Sequence, residues 1–233
     1  MPLDQAVEGI TSDWLDNHLE TVRLPAWKRL FWEGDSPGHF YIIRSGLIGV
    51  YRSVSTSKKI LIQLIRGDQS VGLYEMMSHT NHQTHAVPIK EAVAYRGTRQ
   101  ELETMGEKHP RWLTQLLLHE NDIQSEMYEK IDEVISYELE TRLARVLILL
   151  ANHTGRRSSD GIEITVKLTR KQLSQMLGCA SESVIRILSL WEKDGWITTN
   201  NRLIVLEDIK QLIKLSKKEP SSISTERGLP LIA

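Results

Sequence analysis

Apolar positions change their spacing several times along the 233 residues, and each change marks an element. In residues 1–20, Trp14, Leu15 and Leu19 form one side of a short helix. From 22 to 94 the pattern shortens to strand-sized runs: Phe40-Tyr41-Ile42-Ile43, then 47–51, then 60–65. Glu33-Gly34-Asp35, Ser45-Gly46 and Arg66-Gly67-Asp68 punctuate them as turns, with 54–59 as a hairpin tip. Short strands at regular intervals with glycine turns predict an antiparallel barrel or a double-sheet jelly roll. Such a barrel holds one small ligand or is filled by its own side chains. Residues 110–135 switch to spacings of three and four, at Leu113, Leu116, Leu117, Ile123, Met127, Ile131 and Val134. Beyond Leu117 this stripe is near the 3.5-residue period of a coiled-coil seam, although Glu120 interrupts it. It predicts a dimerisation helix meeting its partner through Leu116, Ile123, Met127, Ile131 and Val134. A helix packed only on its own barrel would leave much the same stripe.

A further helix over 137–152 turns Leu139, Leu143, Val146, Leu147 and Leu150 to a core, and 153–161 reads as a loop. Residues 162–167 alternate, with Ile162, Ile164 and Val166 on one face of a strand. Over 168–191 the sequence LTRKQLSQMLGCASESVIRILSLW reads as two helices and a tight turn. Thr169 is the expected N-cap, and Gln172 completes a capping box. Gly178 sits at the turn, where a positive φ is cheap only for glycine. Ser174 is small where crossing helices approach. The second helix buries Val184, Ile187, Leu188 and Trp191 and exposes Ser181, Glu182, Ile185, Arg186 and Ser189. An ordinary helical hairpin in a core is the alternative, but glycine, small residue and apolar positions all fall in the register of a DNA-reading pair. Strands at 196–199 and 202–206 flank Asn200-Asn201, a pair suited to a two-residue hairpin turn. A helix pair followed by a hairpin is a winged helix. The polar, serine-rich residues 217–233 are expected to form a disordered tail.

Composition narrows the functional classes. The chain is 40% hydrophobic and 25% charged with a net charge of −1, so nucleic-acid binding requires a local basic patch. A single cysteine, Cys179, excludes an intrachain disulfide framework and a cysteine-held iron–sulfur cluster, and suits a reducing compartment. Its place in the helix turn favours packing over redox sensing. No run spans a bilayer and residues 1–10 do not resemble a signal peptide, so a cytoplasmic location is expected, without membrane partners. No phosphate loop, framed carboxylate pair or nucleophile with a base partner is present, which argues against an enzyme.

Taken in order, these parts resemble the family of the cyclic-AMP receptor protein and the fumarate–nitrate regulator, the CRP/FNR transcription factors. The resemblance covers about residues 20–210. It rests on Glu33-Gly34-Asp35, Phe40-Tyr41-Ile42-Ile43-x-Ser45-Gly46, Arg66-Gly67-Asp68, Val71-Gly72 and Arg142-Leu143-Ala144. Leu168-Thr169-Arg170 and Gly178-Cys179-x-x-Glu182-x-Val184-x-Arg186 continue it. It implies an α+β protein: an N-terminal cyclic-nucleotide-binding-type β jelly roll, a long dimerisation helix and a C-terminal winged helix-turn-helix. The corresponding divisions are 1–109 for an effector-sensing barrel with its N-terminal helix, 110–136 for the dimer helix, 137–216 for the DNA-binding domain and 217–233 for the tail. The implied activity is transcription regulation by a homodimer on double-stranded DNA with a pseudo-palindromic operator, together with RNA polymerase. Glu182 and Arg186 look like the family's base-reading pair. Arginine donates two hydrogen bonds to guanine, and glutamate accepts from cytosine N4. Ser181 stands where the cyclic-AMP branch carries a second guanine-reading arginine, so an altered half-site is expected; Ile185 suits a thymine methyl. Thr169, Arg170, Lys171, Ser183 and Ser189 are the expected phosphate contacts.

The effector is where the chain departs from the resemblance. Leu73 follows Gly72, and Thr84-His85-Ala86 stands where nucleotide-binding relatives carry an arginine for the cyclic phosphate. Glu75 lacks a cationic partner in sequence, and Met127 and Tyr128 replace the small polar residues that meet the adenine. These departures argue against cyclic AMP or cyclic GMP, and leave the cofactor unassigned. A pocket around Leu73, Tyr74, Glu75, Met76, Thr84, His85, Met127 and Tyr128 suits an apolar or aromatic effector, or none. His79, His82 and His85, with Met76 and Met77, raise haem as an alternative, although their spacing in a stretch with Pro88 sets no ligand geometry. They are therefore expected to be solvated loop histidines, with no metal site. An effector-independent DNA- or protein-binding module is the remaining alternative. A hinge at 135–138 is expected to couple barrel and winged helix.

Overall fold

The computed structural model describes residues 12–55, 58–67, 69–112 and 133–218. The chain divides into two compact units, 1–127 and 128–233. The first contains α1 (Ser12–His18), β1 (Glu20–Leu24), β2 (Phe40–Ser53), β3 (Lys59–Ile65) and β4 (Ser70–Val71). It continues with α2 (Leu73–Ser78), β5 (His85–Gly97) and α3 (Arg99–Lys108). The strands run β1-β5-β2-β3 in one antiparallel sheet, with β4 also paired to β2. The antiparallel expectation holds, with fewer and longer strands than the turn signals suggest.

Alternation explains the apolar run that starts β2. Phe40 and Ile42 join Leu15, Leu73, Met76 and Leu102 in one cluster, while Tyr41 and Ile43 join Phe31, Val50 and Ala86 in another. Successive side chains of a strand point to opposite faces, and here both faces are buried, so all four residues of the run are apolar. Ser45-Gly46 is not a turn: β2 passes through it, with the register against β5 shifting at Ser45 and Leu47. Gly46 has φ +97°, and a Cβ there would collide with the backbone of Glu91 and Ala92. The glycine marks a bulge where two backbones close in, a position with the same residue signal as a turn. Helix α3 is additional to the sequence reading; Thr98 caps it and its Glu101 side chain completes a capping box.

Of the expected dimerisation helix, residues 113–132 lie outside the described residues, with Leu116, Ile123, Met127, Tyr128 and Ile131 among them. Residues 110–112 and 133–136 are helical, and Val134 is exposed.

The second unit runs α4 (Leu139–Thr154), β6 (Gly155–Ser158), β7 (Gly161–Ile164), α5 (Arg170–Leu177) and α6 (Ser181–Lys193). Then come β8 (Ile197–Asn200), β9 (Leu203–Leu206) and α7 (Ile209–Ser216). Its four strands form an antiparallel sheet in the order β6-β7-β9-β8. The expected loop 153–161 is instead the end of α4 and a hairpin. β6 is exposed throughout and its side chains carry no apolar signal, so only the ladder to β7 makes it a strand. The wing turn lies one residue later than expected. Asn200 pairs with Leu203, leaving Asn201 and Arg202 at the tip with φ of 49° and 67°. Burial of Ile197, Ile204 and Leu206 fixes that register, since a slip by one residue would turn all three outward. Helix α7, which the sequence reading left unassigned, is capped by Asp208, buries Leu212 and packs on α4. Of the expected tail, Lys217 and Lys218 are described, Lys218 pairing with Glu138 at 3.0 Å, and residues 219–233 lie outside the described residues.

Candidate nucleic-acid interface

The helix pair is built locally before it is packed. Thr169 Oγ1 accepts the Gln172 N–H at 3.1 Å, and Gln172 Oε1 accepts the Thr169 N–H at 2.7 Å. Two backbone donors that α5 cannot satisfy internally are thereby satisfied. Gly178 ends α5 at φ 65°, returning its N–H to the Ser174 carbonyl. The chain then enters α6 through Ala180. Val184, Ile187, Leu188 and Trp191 are all buried along one stripe of α6, each contributing roughly 1.5–3 kcal/mol. Trp191 also stacks on Trp196 with centroids 5.9 Å apart. The opposite face presents Glu182, Ile185, Arg186 and Ser189 to solvent, with Ile185 47% exposed. Glu182 and Arg186 stand one turn apart on this face, as expected from their spacing.

Three expected contacts take on different work. Ser181 is half-buried, and its hydroxyl lies 3.0 Å from the buried Ser174 hydroxyl. It therefore ties α6 to α5 and stands apart from the exposed reading face. Arg170 reaches Glu192 of α6 at 3.3 Å and the Thr199 hydroxyl of β8 at 3.2 Å. It is a strut between the recognition helix and the wing. The Thr169 hydroxyl is committed to its cap. Lys171 and Ser189 remain exposed and Ser183 half-exposed, available to phosphates. The sequence reading missed Arg202, exposed at the wing tip, and gave no role to Arg142 of the quoted Arg142-Leu143-Ala144 motif, whose Nη1 donates to the Leu177 carbonyl at 3.2 Å. A basic residue in a tight hairpin turn is the signal that points to the first.

The residues expected to line an effector pocket differ in their surroundings. Leu73 is buried beneath α3 in the cluster with Phe40 and Met105, while Tyr74 is 56% exposed. Glu75 faces His82, with Oε2 3.8 Å from Nδ1. Burial pushes the Glu75 carboxyl up, but contact with His82 outweighs it and holds the group below its ordinary range. Thr84 is half-exposed, and Met127 and Tyr128 lie outside the described residues. The histidines also differ from expectation. His79 is exposed, but His82 is buried and stacked on Phe31 at 3.6 Å, and His85 is buried against Tyr51 at 5.5 Å. An imidazole stacks on an aromatic ring as readily as it meets water, which composition cannot distinguish. No group of three or more His, Cys, Asp or Glu side chains suited to a metal occurs among the described residues. Likewise, no helix among them is long and apolar enough to cross a membrane.

Comparison with known proteins covers both units. A cyclic nucleotide-binding domain model matches residues 21–109, and a Crp-like helix-turn-helix domain model matches 141–215. A CRP-like cAMP-activated global transcriptional regulator of Mycobacterium tuberculosis is 22% identical, over 91% of this chain and 95% of its own length. An anaerobic regulatory protein of Haemophilus influenzae is 29% identical, over 91% of this chain and 82% of its own. A CRP/FNR-family transcriptional regulator of solved structure, from Thermus thermophilus, superposes with a TM-score of 0.73. It is 20% identical, and the match covers 86% of this chain and all of the other.

Proposed function

The chain belongs to the CRP/FNR family of DNA-binding transcription regulators, and from that membership we propose that it reads a pseudo-palindromic operator as a homodimer. Its specificity would come from Glu182 and Arg186, the first accepting from cytosine N4 and the second donating a forked pair to guanine O6 and N7. The observation that carries this reading is their joint exposure, one turn apart, on a helix whose other face is fully buried. Ile185 supplies apolar contact for a thymine methyl. Ser181 is drawn toward Ser174, which supports a half-site with fewer base contacts than a helix bearing arginine there would read. Lys171, Ser183, Ser189 and Arg202 hold phosphates and set position.

Two features support an effector other than a cyclic nucleotide. Glu75 is engaged by His82, and Thr84 stands where an arginine would neutralise a cyclic phosphate. Output at a promoter would pass through contact with RNA polymerase in the cytoplasm.

The test is Arg186→Ala, measured by fluorescence anisotropy against an operator obtained by selection from random duplexes. Loss of the forked contact is expected to weaken operator binding by about 1–3 kcal/mol, roughly 5- to 150-fold, and to relax preference at one G·C step. Arg186 is exposed, so the melting temperature is expected to stay unchanged. Unaltered operator affinity would overturn the assignment.

A further inference from the structure

Three basic side chains of the first unit gather around one tryptophan without a close ion pair to any described carboxylate. The Arg29 guanidinium carbon lies 2.9 Å from the centroid of the Trp32 ring, and Lys59 Nζ lies 5.2 Å from the same centroid. Behind them, His85 is 6.4 Å from Trp32 and stacked on the buried Tyr51. Two carboxylates act on the group, Asp35 on Arg29 and Glu33 on Lys59 and His85, and each also accepts a backbone N–H. Glu33 accepts the Ser53 N–H at 3.0 Å, and Asp35 accepts the Trp32 N–H at 2.8 Å. No described carboxylate pairs with Arg29 or Lys59, although both are half-buried. Arg29 Nε is shielded from solvent without a hydrogen-bond partner.

We propose that Arg29, Lys59 and His85, set around Trp32, form a binding site for the phosphate group of a small anionic ligand. A guanidinium offers a fork of donors, an ammonium a point charge and an imidazole a single N–H. Donors arriving from three side chains match a tetrahedral oxyanion, whose oxygens diverge, better than a planar carboxylate. The cations also act on one another. Burial, then the Lys59 and Arg29 cations, pull His85 down to about 4, and burial followed by Arg29 lowers Lys59. An anion opposes the Coulombic part of each shift, in the direction in which Glu33 already acts. Trp32, 52% exposed, is a flat wall for the organic part of such a ligand. Of the four residues only His85 belongs to the expected effector pocket, and the site stands whether or not Glu182 and Arg186 read bases.

The full chain is titrated calorimetrically with inorganic pyrophosphate at constant ionic strength. One saturable site per chain is expected, weakened by about tenfold or more in Arg29→Ala and in Lys59→Met. Binding is expected to be unchanged in Arg23→Ala, a removal of an exposed cation whose partner is Glu91. In the unmutated protein, pyrophosphate is expected to raise the His85 imidazole pKa, followed by NMR, because an adjacent anion stabilises the imidazolium. An absence of saturable heat, equal weakening in all three variants, full binding by Arg29→Ala and Lys59→Met, or a His85 titration that ignores pyrophosphate would each overturn the site.

Discussion

His85 shows how a single residue type is redirected by its surroundings. An ordinary imidazole titrates near 6.5, but burial together with Lys59 and Arg29 holds this one near 4 in the folded protein. Glu33 opposes that shift without cancelling it. The folded state therefore refuses a proton that the unfolded chain accepts, so stability present above pH 6.5 is lost as pH falls towards 4. One withheld proton corresponds to a slope of at most about 1.4 kcal/mol per pH unit within that window. Urea midpoints at several pH values are expected to fall less steeply for His85→Gln than for the unmutated chain. Parallel curves would show that His85 is not the group responsible. Arg170 and Ser181 carry the same lesson in polar form. Their identities suit DNA, and only their packing shows that one braces the wing while the other joins two helices.

At the scale of elements, Gly46 has the sharpest consequence. Its φ of +97° and the closeness of the β5 backbone leave no room for a side chain. Gly46→Ala is expected to destabilise the first unit by roughly 1–3 kcal/mol, through strain and overpacking, with a matching drop in the thermal midpoint. An unchanged midpoint would mean that the bulge relaxes freely. This element was also the hardest to read. Glycine signals a turn and a bulge alike, so one long strand looked like two short ones. The β6 arm of the β6–β7 hairpin leaves no signal for a different reason: Arg156, Arg157 and Ser158 face water on both sides, leaving no alternation to detect. The α5–α6 pair was legible almost residue by residue. There the cap at Thr169, the glycine at 178 and the buried stripe of α6 are local signals that agree with one another. The effector pocket was the least legible part. Leu73 and Glu75 are adjacent to the matching motif, yet one turns beneath α3 and the other toward His82, a choice made by tertiary packing.

For the whole molecule, a net charge of −1 means that affinity for DNA must be concentrated at the reading head. Two such heads in a symmetric dimer would engage half-sites about one helical turn apart, or a multiple of it. Inserting about five base pairs between half-sites, half a turn, is expected to abolish cooperative binding in an anisotropy titration, and about ten to recover it in part. Indifference to spacing would contradict paired binding. A symmetric dimer would also have to confine pairing to one surface, and the exposed hairpin arm bears on that. The strand β6 is an outer edge of its sheet, with unpaired backbone groups along one side. Its residues are all exposed, Arg156 paired with Glu163 at 2.8 Å and Arg157 beside it, and a further strand docking there would have to desolvate both arginines. Charge of this kind on an exposed edge disfavours edge-to-edge pairing with another chain.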